Sequence, residues 1–357
     1  MLFRSRTEMP ISQIGTASIS GLGYGFKNRI INGGMAIFQR GAADTTDAAY
    51  SVDRWRFVKS NDATESTSQN TDAPSGFSYS LRNTVATGDA TIGASQYSGF
   101  EQSIEGYNVA DLAWGTASAK TITLSFWVRS SVTGTYTGNV RNSDATRINP
   151  FNYTISSANT WEQKTITVTG DTGGTWLTTN GIGITVALYA ALGSSYVGGT
   201  AGVWGTTPAF GCGSPVNGIA SNGNIFAITG VQLEAGTVAT SFDYRPYGTE
   251  LALCQRYYQV SDTYTGVSSS STVGYGFCTF QVTMRASPSL AATGILRITD
   301  GYSADFAQSS GSAVINSGRV SPYGVSFDAA NFTGMTTGRA FFSKQSSSSN
   351  IAMSAEL

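Results

Sequence analysis

The sequence predicts an all-β fold, in which a two-sheet sandwich is followed by a smaller β domain. Several segments alternate apolar and polar residues with a period of two, which is the pattern of half-buried strands. The chain contains 42 glycines, and Gly- and Asn-rich stretches fall between these segments, where turns are expected. Only one short segment is rich in helix-forming residues. Many short strands without helices between them favour a sandwich.

The composition indicates a folded chain with a polar but weakly charged surface. Charged residues make up 12% of the 357 residues, against ~25% in an average soluble protein. Aromatic residues make up 11% and the net charge is −1, whereas disordered chains have few aromatics and a high net charge. A prior of ~150 residues per domain predicts about two domains.

Charge and residue content argue against several classes of function. The sequence has no run of Lys and Arg to contact phosphates, so we expect no nucleic-acid partner. It has no apolar run of ~18 residues and no apolar N-terminal signal, so we expect no membrane insertion. Histidine is absent, which removes Ser–His–Asp and Cys–His nucleophile pairs and most zinc sites.

The three cysteines, Cys212, Cys254 and Cys278, are odd in number and widely spaced. They form neither a CxxC metal motif nor a disulfide framework. We therefore predict reduced, mostly buried thiols in a protein assembled in a cytoplasm.

The predicted elements begin after an N-terminal segment, residues 1–27, that we interpret as an extended arm. This arm is either a disordered tail or an attachment segment for another protein. The run Asn32–Gly34 predicts a turn with positive φ. The clearest strand is Thr121–Arg129, in which every second residue is apolar. Further strands are predicted at 164–169, 183–189 and 225–234.

A domain boundary is predicted near Arg245–Gly248. It is followed by the only predicted helix, Glu250–Tyr258, with Thr249 as its N-cap. Strands are then predicted at 274–284, 294–299, 324–328 and 338–342. The chain thus divides into the arm at 1–27, the sandwich at 28–248 and a smaller β domain with a leading helix at 249–357.

Three groups of motifs occur in an order and spacing that match a known family. They are KNRIINGGM (27–35) with QRG (39–41) and YSVDRW (50–55); LSFWVRS (124–130); and GVQLEAG (230–236) with ATSFDYRPY (239–247) and ELALCQRYY (250–258). From Lys27 to Tyr258 the chain resembles a module of bacteriophage and prophage tail-fibre proteins, and its ending MSAEL (353–357) is similar to that family's C-terminus. The resemblance implies a jelly roll similar to carbohydrate-binding modules, followed by a small β domain, in an oligomeric virion appendage.

The resemblance implies a non-enzymatic virion protein, a tail-fibre or receptor-binding subunit that contacts host surface glycans. It also implies a homo-oligomer, commonly a trimer, that attaches to other tail or capsid proteins through the arm. A purely structural component, either a baseplate or tail adaptor or a capsid-decorating fibre, is the alternative. A glycan depolymerase is a third hypothesis, and Glu101 and Glu105 are its nearest carboxylate pair.

Aromatic residues beside polar groups are the candidates for glycan binding. Trp127 lies opposite the apolar face of its strand and next to Arg129, and it is either a sugar platform or a covered residue. Further candidates in or beside Gly-rich connections, each of which is otherwise a local core residue, are Trp176, Tyr189, Tyr196 and Trp204. The Gly-rich stretch 193–218 is long enough to be a binding or subunit-contact loop. We expect no cofactor, and a structural calcium ion stays unassigned because no loop has diagnostic ligand spacing.

Overall fold

The computed structural model describes residues 27–206, 209–292, 295–301, 305–308, 315–344 and 350–357. The predicted arm, apart from Lys27, lies outside the described residues. Ten strands form the N-terminal half: β1 (Arg56–Ser60), β2 (Thr64–Asn70), β3 (Ser80–Thr87), β4 (Tyr97–Glu105), β5 (Ile122–Ser130), β6 (Gly134–Arg141), β7 (Ile148–Ile155), β8 (Glu162–Val168), β9 (Ile182–Leu192) and β10 (Ile225–Ala235).

These ten strands form two antiparallel five-stranded sheets that pack face to face. The first sheet has the order β1-β4-β9-β6-β7, and the second sheet has the order β2-β3-β10-β5-β8. The chain crosses from one sheet to the other after β1, β3, β4, β5, β7, β8 and β9. This repeated crossing produces a jelly-roll sandwich, and the predicted all-β fold class is confirmed.

The sandwich core follows the period-two pattern of the sequence. Ile122, Leu124, Phe126 and Val128 of β5 are fully buried between the sheets. A chain of ring contacts crosses the core; its centroid distances are 6.0 Å for Phe100–Phe226, 5.7 Å for Phe226–Tyr136, 5.8 Å for Tyr136–Tyr153 and 5.1 Å for Tyr153–Phe126. Large aromatic side chains from both sheets therefore fill the space between them.

The segment before β1 is anchored by an asparagine turn. Asn32 has a φ of 56°, and its Nδ2 donates to the carbonyls of Ile37 (2.9 Å) and Asp53 (3.0 Å). The predicted turn is present, but its positive φ falls on Asn32 rather than on the glycines. Gly33 is required for another reason, since a Cβ there would lie 2.1 Å from the Val231 carbonyl oxygen.

The helix α1 spans Tyr247–Gln255, three residues earlier than predicted at both ends. Its N-cap is Pro246 rather than Thr249, and the Pro246 carbonyl accepts the amides of Thr249 and Glu250. Proline suits a helix start because its missing N–H would have no helical partner there. The predicted helical residue Tyr258 instead begins β11, where it pairs with Ser354.

The C-terminal half contains two further antiparallel sheets. A three-stranded sheet has the order β11-β20-β14, and a seven-stranded sheet has the order β16-β15-β19-β12-β13-β18-β17. Their bounds are β11 (Tyr258–Ser261), β12 (Thr265–Ser268), β13 (Gly274–Thr279), β14 (Ser289–Ala292), β15 (Arg297–Thr299), β16 (Asp305–Ala307), β17 (Ile315–Ser321), β18 (Gly324–Ala329), β19 (Ala340–Ser343) and β20 (Ile351–Ser354). No helix among the described residues is long and apolar enough to cross a membrane.

Buried ion pairs join the two halves across one end of the first sheet. Arg54 is 1% exposed; it pairs with Glu356 and donates to the Ser103 carbonyl. Its guanidinium also lies 3.6 Å from the ring centroid of Tyr257. Glu105 accepts two hydrogen bonds from Arg256 (2.6 and 2.9 Å) and one from the Tyr257 hydroxyl (2.8 Å). The C-terminal half therefore covers this end of the sheet.

All three cysteines are buried, as predicted. Burial raises the pKa of Cys254 well above its ordinary value, and the nearby Asp53 carboxylate raises it further. Burial also raises the pKa of Cys212 and of Cys278. A raised pKa disfavours the reactive thiolate, so these side chains act as small apolar residues.

Candidate functional site

The part of the first sheet not covered by the C-terminal half forms a cleft of about 240 Å³ on its outer face. We call this space the tyrosine cleft, and its lining residues are Asp47, Arg56, Val58, Tyr97, Glu101, Arg141, Tyr189, Leu192, Tyr196 and Phe210. Four neighbouring strands, the segment before β1 and the long loop after β9 supply them. Val58 of β1 pairs with Gly99 of β4, which in turn pairs with Tyr189 of β9.

Strand alternation and a bulge place the floor of the cleft. On β4, Phe100 points into the core, so Tyr97, Gly99 and Glu101 point outward. The pairing of β9 with β4 shifts by one residue at Ala190, which is therefore a bulge residue. Because of this bulge, Tyr189 and Leu192 both face the cleft although they are three residues apart.

Gly99 makes room for the Tyr189 ring. A Cβ at Gly99 would lie 2.9 Å from the Tyr189 ring and 2.5 Å from the Leu188 carbonyl oxygen. Both distances are shorter than real contacts allow, so a larger residue would push the ring out of the floor. The glycine therefore fixes the depth of the cleft.

Aromatic rings from the long loop form one wall. Tyr196 contacts Tyr97 edge-to-face with centroids 5.8 Å apart, and it contacts Phe210 in the same way at 5.6 Å. Asn139 holds the loop on the sheet by donating from Nδ2 to the Phe210 carbonyl (2.8 Å). The Gly-rich stretch predicted as a binding or contact loop thus packs, in its described part, on the first sheet.

A charged trio lies on the floor beside these rings. Arg56 donates to one oxygen of Glu101 (2.9 Å), and Arg141 donates to the other. Burial alone would lower the pKa of Arg141, but the Glu101 carboxylate, together with the Tyr189 hydroxyl, raises it overall. Arg141 also lies 5.6 Å from the ring centroid of Phe210, where a cation–π attraction adds to its anchoring.

Burial disfavours the ionised form of Tyr50, Tyr136 and Tyr189, and this leads to a prediction about stability at alkaline pH. Burial raises the pKa of Tyr50, Tyr136 and Tyr189 to about 12, from an ordinary value near 10. Each raised pKa stabilises the folded chain below pH 10. We expect that stabilisation to be lost as pH rises from about 10 to 12, by on the order of 2–3 kcal/mol at most for each residue.

The rise in absorbance at about 295 nm with pH measures this, because ionisation of tyrosine increases absorbance there whereas the tryptophan contribution does not change with pH. The folded protein at pH 11 should show fewer tyrosinates than the same protein in urea, whose tyrosines all ionise near pH 10. Equal titration curves in the two conditions would contradict the burial of these hydroxyls.

The structure brings two of the six predicted glycan-binding residues, Tyr189 and Tyr196, into the tyrosine cleft. Trp127 and Arg129 lie on the outer face of the second sheet. Trp127 is half-buried, and its ring packs beside Gly230 and Phe77. A Cβ added to Gly230 would lie only 2.9 Å from the Trp127 ring and 2.6 Å from the Phe77 ring. Arg129 forms an ion pair with Asp72. These two residues therefore lie on the opposite sheet from the cleft.

Trp176 and Trp204 belong to a third location, a cluster with the buried Trp114. The ring centroids are 4.6 Å apart for Trp114–Trp176, 5.3 Å for Trp114–Trp204 and 5.4 Å for Trp176–Trp204, all edge-to-face. The indole of Trp204 donates to the Thr169 carbonyl (2.8 Å). We call this the tryptophan cluster, and its packing matches the alternative interpretation of these residues as local core.

Sequence reasoning did not predict the other lining residues as glycan-binding residues, and it named Glu101 only in a candidate carboxylate pair. Tyr97, Glu101 and Arg56 lie on β1 and β4, and period-two alternation through YSGFEQSIE would have placed Tyr97 and Glu101 on one face. Arg141 follows the same rule on β6. The bulge at Ala190 has no clear sequence signal, so the meeting of these side chains with Tyr189 was not predictable.

A second depression of about 470 Å³ lies near the start of α1. We call it the aromatic groove. Phe77, Phe242 and Tyr244 contact one another there with centroids 4.9 to 5.6 Å apart. Tyr244 is 62% exposed and Tyr247 is 64% exposed. The Tyr244 hydroxyl donates to the Gly76 carbonyl (3.0 Å), which holds the ring in place.

The carboxylates suggested for glycan hydrolysis do not form a facing pair. Glu101 and Glu105 are four residues apart on β4, which separates their α-carbons by about 13 Å. Glycosidase carboxyl groups lie ~5–9.5 Å apart. Glu105 is buried against the C-terminal half, and Glu101 binds two arginines. Within the described residues, no group of three His, Cys, Asp or Glu side chains is placed to hold a metal ion.

Comparison with known proteins finds similarity in structure only. No protein-family profile matches the sequence, and no curated protein matches it. Similar solved structures include the enzymatically active domain of tailspike protein 4 of bacteriophage CBA120, with a TM-score of 0.33, 14% identity, and coverage of 59% of this chain and 22% of that chain. The chain thus spans about a fifth of that tailspike structure.

Carbohydrate-binding modules are also among the similar structures. TmCBM61 in complex with β-1,4-galactotriose has a TM-score of 0.31 and 11% identity, covering 58% of this chain and 99% of the module. A family 11 carbohydrate-binding module from Clostridium thermocellum, with a bound mixed-linked tetrasaccharide, has a TM-score of 0.29 and 13% identity, covering 56% of this chain and 98% of the module. Each of these two modules is covered almost completely, but each matches only a little more than half of this chain.

Proposed function

We propose that this chain is a non-enzymatic glycan-binding subunit of a bacteriophage tail fibre, and that the tyrosine cleft is its sugar site. The observation that carries the proposal is the combination of aromatic rings and fixed polar groups in one cleft. Sugar rings present apolar C–H faces that pack on aromatic rings, and hydroxyl edges that need hydrogen-bond partners. Tyr97, Tyr189 and Tyr196 supply the rings, while Arg56 and Glu101 supply polar groups.

The site is fixed before any ligand arrives. Glu101 is buried and its carboxylate anchors both arginines, and Asn139 holds the loop that carries Phe210. A preformed site avoids the entropic cost of ordering side chains on binding, which improves affinity for a weakly interacting ligand such as a sugar.

The proposal also includes a location in the virion and assembly into an oligomer. The resemblance of residues 27–258 to tail-fibre modules supports both. The chain would assemble as a closed homo-oligomer, a trimer in the proposed form, because closed symmetry is the rule for homo-oligomers. Attachment to tail or capsid proteins is proposed for the arm at 1–27. Of this segment, Lys27 donates from its backbone to Asp243 (3.1 Å), which fixes where the arm joins the sandwich.

The test is binding of the purified full chain to a panel of bacterial strains, before and after removal of their surface polysaccharide. We expect saturable binding to at least one strain, and its loss on stripping. The variant Tyr196→Ala removes one wall of the cleft and should weaken binding at least tenfold, since aromatic residues in a pocket carry much of the binding energy.

Trp161→Ala is the matched control. Trp161 is half-buried on the second sheet, where its indole donates to Asp72 (3.2 Å), and it is not part of the cleft. It should bind as the unaltered chain does, and thermal unfolding should show that both variants are folded. A folded chain that binds no strain, or binds stripped cells equally well, would contradict the proposal.

A purely structural virion component is the second candidate function, and the aromatic groove favours it. Exposed, preoriented tyrosines such as Tyr244 and Tyr247 are enriched where proteins contact one another. This function predicts that Tyr244→Ala, and not Tyr196→Ala, would disturb assembly with neighbouring virion proteins.

A further inference from the structure

We infer that the tyrosine cleft selects acidic glycans, in which a sugar carboxylate binds beside Arg56 and Arg141. The inference rests on the proposed function and adds the chemical class of its ligand. It follows from the unequal burial and bonding of the four charged groups that line the cleft.

The floor of the cleft carries one net positive charge. Arg56 and Arg141 both pair with the single carboxylate of Glu101, whose two oxygens each accept one of them. Two guanidinium groups and one carboxylate leave a surplus of one positive charge. These groups lie low in the cleft, with side-chain exposures of 15% for Arg141 and 6% for Glu101, so water screens their fields weakly.

The remaining acidic group lies at the rim. Asp47 is exposed, and its carboxylate accepts the backbone amide of Lys59 (2.8 Å). Because its charge faces bulk water, it offsets the field at the floor much less than a buried carboxylate would. A ligand that reaches the floor therefore meets a positive site.

Arg56 is the group available to a ligand. Its side chain is 38% exposed, and among the described residues its one hydrogen-bonded partner is Glu101, through Nη1. A guanidinium has five N–H donors, so the remaining donors of Arg56 can bind a carboxylate in the two-pronged geometry that arginine favours. Glu101 holds the guanidinium in place for that contact.

The size of the cleft limits how many sugar residues of the glycan can bind in it. Its volume of about 240 Å³ lies below the ~300–1,000 Å³ of pockets for drug-sized ligands, so it accommodates roughly one sugar residue. That residue would pack on the rings of Tyr97 and Tyr196 and direct its carboxylate to the floor. Neighbouring residues of the glycan would extend into solvent.

The test uses the surface polysaccharide of the strain that binds most strongly, purified and divided into two halves. In one half the carboxylates are reduced to primary alcohols, which removes the charge and retains the sugar ring and its linkages. We expect the full chain to bind the native polymer about 10- to 100-fold more tightly than the reduced one, the range for losing hydrogen bonds to a charged group.

Variants of Arg56 locate the effect. Arg56→Gln should lower affinity for the native polymer by a similar factor and affinity for the reduced polymer by much less, while Arg56→Lys should retain part of the preference. Arg129→Gln, on the opposite sheet, is the control and should change neither. Thermal unfolding of each variant separates loss of binding from loss of fold.

Each result decides between the two proposals. Equal binding of native and reduced polymers, with Tyr196→Ala still weakening both, would overturn the acidic-glycan inference and leave the sugar-binding cleft intact. Binding of neither polymer by the folded chain would overturn both. A preference for the native polymer that Arg56→Gln does not change would place acid recognition elsewhere and overturn the inference.

Discussion

Replacing Glu356 with glutamine should lower the free energy of unfolding by about 3–5 kcal/mol, the cost of leaving a buried charge without its partner. The partner is Arg54, which is 1% exposed between the Glu356 carboxylate, the Ser103 carbonyl and the Tyr257 ring. Burial alone would lower the pKa of Arg54, but the Glu356 carboxylate, together with Tyr257 and Tyr50, raises it overall, so the guanidinium stays charged in the fold.

Urea unfolding followed by circular dichroism measures this effect. Asp305→Asn is the control, because Asp305 pairs with Lys344 on the surface with side chains 52% and 48% exposed, and we expect no measurable change from it. The double variant Arg54→Met with Glu356→Leu should recover most of the stability, since an apolar pair can replace a buried ion pair of similar volume. A Glu356→Gln midpoint equal to that of the unaltered chain would contradict the buried pairing.

Replacing Trp114 with alanine should cost about 3–5 kcal/mol of stability, the usual loss for a buried aromatic residue. Trp114 is 7% exposed and contacts the rings of Trp176 and Trp204. Its removal leaves a cavity and separates Trp204, with the loop that carries it, from the sandwich. Because that loop also supplies Tyr196 and Phe210, we expect glycan binding to weaken as well.

Chemical unfolding and limited proteolysis together test this prediction. Trp114→Ala should unfold at a lower urea concentration and be cut sooner within the stretch 193–218. Trp161→Ala, which removes a half-buried tryptophan outside the cluster, should lose less than about 1 kcal/mol and keep the loop protected. Equal losses in the two variants would show that the cluster does not support the loop.

Local pattern was sufficient to predict four of the ten strands of the sandwich, β5, β8, β9 and β10. Ile122, Leu124 and Phe126 alternate along β5 and are all buried, because period-two spacing alone decides which face of a strand enters the core. The helix was predicted three residues late, since Thr249 is a good N-cap residue and Pro246 was assigned to the predicted domain boundary rather than to the helix. The first residue of a helix depends on which of several possible capping residues is used, and composition alone does not decide between them.

The candidate site was predictable only in part, because contacts distant in sequence build it. Tyr189 and Tyr196 were singled out as aromatics near Gly-rich connections, and both line the cleft. Trp127 was chosen because it faces away from the apolar side of its strand, yet it lies beside Phe77 on the other sheet. The strand order and the position of the C-terminal half decide which outer sheet face is open to solvent. The C-terminal half covers the part of the first sheet around Glu105.

The most direct test of the glycan-binding account is a crystal structure of the full chain with oligosaccharides released from the surface polysaccharide of a strain that it binds. The account predicts one sugar residue in the tyrosine cleft, against the rings of Tyr97 and Tyr196 and within hydrogen-bonding distance of Arg56. The same oligosaccharide bound in the aromatic groove around Tyr244, with the tyrosine cleft empty, would contradict it.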